Sequence, residues 1–239
     1  MTNSGFNNWR NVWESKILSD SHSLLSALIQ ANGFDTGCGD YSESQWLHMA
    51  EDLVARAQLD SASSVLEFGC GSGALLLALQ QLSGCAIAGS DYSSALVDIA
   101  RTHLSGEFVT GEARDRLFPA NQYDMVLSHS VFQYFHSMQY AEQVIDAMLA
   151  CLKPGGTLFL LDLNDQRKES DYHAERMSGY KTPHEYQQRY QHHPHQFYQQ
   201  GLITEMLIAR GCHSVTIFPH AVREYKNSAF RFNVMATLS

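Results

Sequence analysis

An α/β fold built on a doubly wound parallel sheet is what these 239 residues predict, and three observations predict it. From Ser64 onward, short apolar runs alternate with helical patterns; each run ends in small or polar residues; and the first leads through three glycines into an Ala/Leu-rich helix. Strand and helix repeated at this spacing give parallel strands joined by right-handed crossovers. In such sheets a ligand sits beyond the carboxyl ends of the strands.

The elements follow in chain order. Residues 1–60 carry the helical pieces SLLSALIQ and QWLHMAEDLVARAQ around the Gly-rich ANGFDTGCGDYS, and form either packing helices or a lid over the site. SVLEFG, CAIAGSD, EFVTGEA, YDMVLSHS and GTLFLLDLND read as buried parallel strands, with ALLLALQQL, SALVDIARTHL and AEQVIDAMLACL as intervening helices. VFQYF, after the fourth strand, begins a helix. Residues 165–200 turn polar and rich in Gln, His and Tyr, interrupted by Pro183 and Pro194. That stretch exceeds an ordinary loop, so it is partly helical and serves as a substrate-side lid. GLITEMLIAR is a helix stopped at Gly211, and SVTIFPHAV and FRFNVMATL are the last two strands. The division expected is a helical segment over 1–60 and one domain over 61–239.

Composition narrows the partners. With 44% hydrophobic and 17% charged residues the chain is globular. A net charge of −9 without a Lys/Arg stripe argues against a nucleic-acid partner, since phosphate binding needs a concentrated basic surface. Five scattered cysteines, Cys38, Cys70, Cys85, Cys151 and Cys212, form no CxxC pair, which fits a reducing compartment. No basic-then-apolar leader and no membrane-length apolar run is present, so a soluble, cytoplasmic protein is expected.

The stretch VLEFGCGSGALLLAL, Val65 to Leu79, carries the chemistry. A glycine turn between strand and helix lets the backbone approach a ligand and adds unpaired N–H groups at the helix start. Gly69, Gly71 and Ala74 match GxGxxG/A, with Asp91 at the distance that holds a ribose hydroxyl, so a nicotinamide or flavin dinucleotide fits this window alone. Three acids tilt the balance. Glu67, two positions before Gly69, would repel a pyrophosphate but suits a cation. Asp91 ends the second strand, and Glu112 follows the third, where it can accept from an adenine amino group. Together they favour a positively charged nucleoside.

In VLEFGCGSG, SDYS, GEA, YDMVLSHSVFQYF and LKPGGTLFLLD, taken in this order, the sequence resembles the class I S-adenosylmethionine-dependent methyltransferases over roughly Val65 to Asp165. The resemblance implies a Rossmann-like seven-stranded doubly wound sheet with its last strand antiparallel, and S-adenosylmethionine as the cofactor. It implies that Gly69, Gly71 and Gly73 pass beneath the methionine part and that Asp91 holds the ribose. Glu112, where the family usually has aspartate, would face the adenine with Ala113, and Tyr92 would pack on that ring. Lys153, Pro154 and Gly155 belong to a structural turn. Ser128 and His129 close the fourth strand, where the family lines its methyl-transfer centre.

His129 can act as a base toward an acceptor hydroxyl or carboxyl, or hydrogen-bond the cofactor. Gln133 and Tyr134 look into the pocket or lie on the helix. His184, His192, His193 and His195 match no common ligand spacing and read as a solvated loop, so no metal is expected. Among Tyr172, Tyr180, Tyr186, Tyr190 and Tyr198, some can face a sulfonium and the rest pack or meet solvent. Tyr41 and Trp46 cap the cofactor or pack a helix, and Cys70 is a small residue in the turn. The activity expected is in-line methyl transfer to an oxygen or nitrogen of a small molecule. Two alternatives stand beside it: a cyclase that consumes the cofactor, forming a cyclic amino acid of the azetidine-2-carboxylate type and methylthioadenosine, and a cofactor-binding protein without chemistry.

Overall fold

The structure, a computed structural model, describes residues 4–34 and 39–239; part of ANGFDTGCGDYS, including Cys38, lies outside the described residues. Seven strands form one sheet: β1 (Ser64–Phe68), β2 (Ala86–Asp91), β3 (Glu107–Thr110), β4 (Tyr123–His129), β5 (Leu152–Asn164), β6 (Cys212–Phe218) and β7 (Arg231–Leu238). Their order is β3-β2-β1-β4-β5-β7-β6. Strands β1 to β5 pair in parallel, and β7 runs antiparallel to both β5 and β6. The order reverses between β1 and β4, which opens a crevice at their carboxyl ends.

Helices cover both faces. On one face α4 (Ala74–Ser83) lies on the sheet with α2 (Leu24–Ala31) and α3 (Glu43–Ala57) over it, which is why Ala74 to Leu79 are all buried and the helix is apolar all round. α5 (Ser94–His103) completes that face, and α1 (Ser4–Glu14) packs against it. The other face carries α6 (Met138–Cys151) and α9 (Gln200–Ala209), whose apolar residues meet Leu66, Phe68, Val126 and Leu160. Local signals set the helix ends. Ser42 and Gln45 form a reciprocal capping box on α3, and Ser93 and Ser137 cap α5 and α6.

Between Asp165 and Gln200 lie α7 (Glu169–Met177) and α8 (Pro183–His192), so the insertion is largely helical. α8 starts where Thr182 caps and Pro183 supplies a pre-set φ. Two expectations need correction. VFQYF does not begin a helix: Phe132 to Tyr134 make a single 3₁₀ turn, Phe135 is extended, and α6 starts only after the Ser137 cap. The turn is held by Gln133, whose buried amide donates to the Ser130 carbonyl at 2.7 Å. SVTIFPHAV is strand only to Phe218, because Pro219 has no N–H to continue the ladder.

Candidate active site

The glycine turn is fixed by close packing. Gly69, Gly71 and Gly73 adopt φ of +75°, +54° and +83°, which disfavour any side chain. A Cβ on Gly69 would lie 2.4 Å from Val131 Cγ2 and one on Gly71 2.3 Å from Asn32 Oδ1. The turn is therefore clamped between the end of α2 and the segment after β4. Its N–H groups are partnered from both sides: Gly71 donates to Asp91 Oδ2 at 2.9 Å and Ser72 to Asn32 Oδ1 at 2.8 Å. Ser93 donates to the other Asp91 oxygen at 2.9 Å.

Over this turn opens a cavity of about 430 Å³, within the range of small-molecule sites. Of the residues singled out from the sequence, Glu67, Gly69, Gly71, Asp91, Tyr92, His129 and Tyr134 line it. Four others do not. Gly73 is the N-cap of α4, facing Leu104; Ala113 packs with the α6-side core; Ser128 is fully buried in β4. Glu112 is engaged elsewhere, paired to Arg10 of α1 at 2.5 Å and accepting from Tyr140 Oη at 2.9 Å. Arg10 also lies 5.0 Å over the Tyr92 ring, so α1 closes that end.

Burial sets the charges. Glu67 is 3% exposed with Oε2 unpartnered, and burial, helped by Asp91, holds its carboxyl well above the usual range. Burial also pushes Asp91 up to about 6, against the backbone N–H groups of Ser93, Gly71 and Tyr92. It pushes His129 down to about 4, so at neutral pH this imidazole is uncharged, with Nε2 unpartnered. A cavity with two desolvated carboxyl groups beside a glycine turn suits a cation. An unpartnered, buried Glu67 oxygen is the donor set's open position, and the residues present fit S-adenosylmethionine.

Residues 42–217 match a methyltransferase-domain family. The chain belongs to that family. S-adenosylmethionine is the cofactor of the class I methyltransferases that share this fold. It is 33% identical to a chondramide synthase from Chondromyces crocatus over 52% of its length and 3% of that protein's. It is 30% identical to a trans-aconitate 2-methyltransferase from Paracidovorax citrulli, over 59% of its own length and 54% of the relative's. The chain thus spans about half or less of these curated relatives. Magnesium protoporphyrin IX methyltransferase from Synechocystis PCC 6803, solved with bound SAM, shares the fold at a TM-score of 0.59 and 18% identity, covering 99% of this chain and 92% of that one.

Several wall residues of this methyltransferase escaped the sequence reading. Trp9, Trp13 and Lys16 reach the cavity from α1 and just beyond it, and Phe34 from the end of the α2 region. Trp46 lines the cavity, whereas Tyr41 is buried behind it, packed on Trp46 and Tyr225. The tyrosines of the insertion do not reach the cavity; Tyr172, Tyr186 and Tyr198 are core residues. His195 departs from the solvated-loop expectation. It lies in the wall, stacked on Trp9 at 5.2 Å and bonded through Nδ1 to Tyr172 Oη at 2.6 Å.

The other omission is a buried ion pair, Asp162 of β5 with Arg231 of β7. Burial alone would raise the Asp162 carboxyl, but Arg231, with His220 and His129, brings it below the usual range. Asp162 sits at φ +65° in an irregularity of the β5–β7 pairing, which turns its side chain out of register. A charged residue between two phenylalanines, in FRFNV, was the sequence signal for it.

Proposed function

We propose that this methyltransferase moves the methyl group to an oxygen or nitrogen of a small-molecule acceptor. One cavity holds both halves that such a reaction needs: an acidic glycine-turn side at β1 and β2, and a polar side at β4 and β7. The P. citrulli relative is named for a small acceptor, trans-aconitate, and the net charge of −9 disfavours a polyanionic one.

When bound, S-adenosylmethionine supplies a methyl already attached to a good leaving group. Protein residues then bind, align and exclude water. In this reading Glu67 and Asp91 hold the cationic and ribose parts, Gly69 and Gly71 allow close approach, and Tyr92 packs on the base. Lys16, against the turn side of the wall, is the cation for the cofactor's own carboxylate. Gly73, Glu112, Ala113 and Ser128 support the turn and strand ends from outside the cavity. Trp9, Trp13, Trp46 and Tyr134 keep water from the reacting centre. Neutral His129 offers Nε2 to an acceptor N–H or O–H, orienting it; a group pushed down to about 4 is a weak base. Segment 1–60 and residues 165–200 act together as a lid over domain 61–239. Trp9 Nε1 donates to the Pro194 carbonyl at 3.3 Å, and α1 packs on α8.

The test is incubation of the pure protein with S-adenosylmethionine, with and without a panel of small acceptors, read by mass spectrometry. Cofactor alone should remain intact, and S-adenosylhomocysteine should form only with an acceptor. Methylthioadenosine from cofactor alone would overturn the reading in favour of the cyclase.

A further inference from the structure

Arg176 and Arg231 stand in the cavity wall where a cationic methyl donor has no use for them. Arg176 comes from α7 and Arg231 from the first position of β7. Arg231 is 8% exposed; its Nη1 donates to Asp162 and, at 3.3 and 3.4 Å, to Ser130 Oγ and Tyr225 Oη. Arg176 donates from Nη2 to Asn227 Oδ1 at 3.1 Å and lies 4.3 Å over the Tyr172 ring. In both residues Nε is buried and unpartnered. Among the described residues, one carboxylate, Asp162, ion-pairs with Arg231, and none ion-pairs with Arg176.

The remaining neighbours do not balance the charge. His129, His195 and His220 are all held toward their neutral forms, chiefly by burial. One positive charge is left over, in a region that already removes polar groups from water. That charge is on half-buried Arg176 at the cavity wall, and a guanidinium with a free Nε–H is shaped for an anion's paired oxygens.

Position in the sheet assigns that anion to the acceptor. Asp91 ends β2, while Arg231 begins β7, four strand spacings away in the order β2-β1-β4-β5-β7. At about 4.8 Å per spacing that is roughly 19 Å. The cofactor's carboxylate has Lys16 on the near side, where its Nζ lies 3.4 Å from the Cβ position of Gly33. We propose that the β5–β7 end of the cavity is an anion subsite and that the methyl acceptor is a small carboxylic acid, its carboxylate held by Arg176 and Arg231. A single uncompensated charge matches one carboxylate better than a doubly charged phosphate. The inference rests on the methyltransferase reading above and names its substrate class.

The experiment uses the full chain saturated with S-adenosylhomocysteine and follows the fluorescence of the wall tryptophans. The probes are propionate, benzoate and malonate, their carboxamides, and inorganic phosphate. At least one acid should bind saturably and about tenfold or more tighter than its amide. Arg176→Gln should weaken that acid by about tenfold or more, with Arg176→Lys between, while S-adenosylhomocysteine affinity by calorimetry stays within about twofold. Equal binding of acids and amides, no acid binding, or tighter phosphate binding would each overturn the carboxylate subsite. So would an equal loss of S-adenosylhomocysteine affinity in Arg176→Gln, since the guanidinium would then serve the cofactor. Failure of the wild-type chain to bind S-adenosylhomocysteine is a separate result, which removes the methyltransferase reading itself.

Discussion

Glu67 concentrates the chemistry of the cofactor side in one carboxyl group. It is buried, one oxygen has no partner, and Asp91 is close enough to oppose its ionisation. Its raised value means that the free protein holds this proton more tightly than an ordinary carboxyl does. A cation placed beside it favours the charged form, so cofactor binding shifts this group toward ionisation and releases protons. Asp91, pushed up only to about 6, is already ionised at pH 7 and contributes little to that release. Calorimetric titration of S-adenosylmethionine at pH 7, in buffers of different ionisation enthalpy, should therefore show net proton release on binding. Glu67→Gln should abolish it. No release from the wild type would separate Glu67 from the bound cation.

At the scale of elements, the glycine turn matters as a rigid corner between β1 and α4. Gly71 at φ +54° faces Asn32, and the Asn32 Oδ1 atom that a Cβ would strike also accepts the Ser72 N–H. Gly71→Ala must therefore strain the backbone, by about 1 to 2 kcal/mol, and displace a hydrogen bond worth about 0.5 to 1.5 kcal/mol. A fall in Tm of roughly 3 to 14 °C is expected by calorimetry of the cofactor-free protein. An unchanged Tm would mean that Asn32 does not clamp the turn. Elements of this kind were readable in sequence because each signal was local. Most of strands β1 to β5 are short apolar runs, and Gly211 marks a helix end at its own position. VFQYF misled because its apolar residues pack as a turn pinned by Gln133 and Ser130, a side-chain contact that periodicity does not encode.

Across the whole molecule, the wall residues that sequence reasoning missed come from segments far apart in the chain. Trp9, Asn32, Arg176 and Arg231 meet only because α1, α2, α7 and β7 converge on the strand ends, and no local motif records that convergence. The Asp162–Arg231 pair joins β5 to its antiparallel neighbour within this convergence, with both side chains 4% exposed or less. Asp162→Ala leaves the guanidinium buried without its carboxylate, a loss of about 3 to 5 kcal/mol. For a chain of this size that lowers Tm by roughly 6 to 20 °C. The pH dependence has a definite sign. Asp162 is held below its ordinary value in the folded state, so its contribution is present at neutral pH and is lost as the pH falls below about 4, toward the folded value. The gap in Tm between wild type and Asp162→Ala should therefore be full at pH 7 and shrink progressively below pH 4. Removing both charges, as Asp162→Leu with Arg231→Met, should recover much of the loss, because the cost lies in the orphaned charge more than in the missing attraction. Thermal scans of the three proteins at pH 7 and at about pH 3.5 would decide it, provided the wild type remains folded at the lower value. A gap that does not narrow with acid would mean that the Asp162 carboxylate is not what holds β7 to β5.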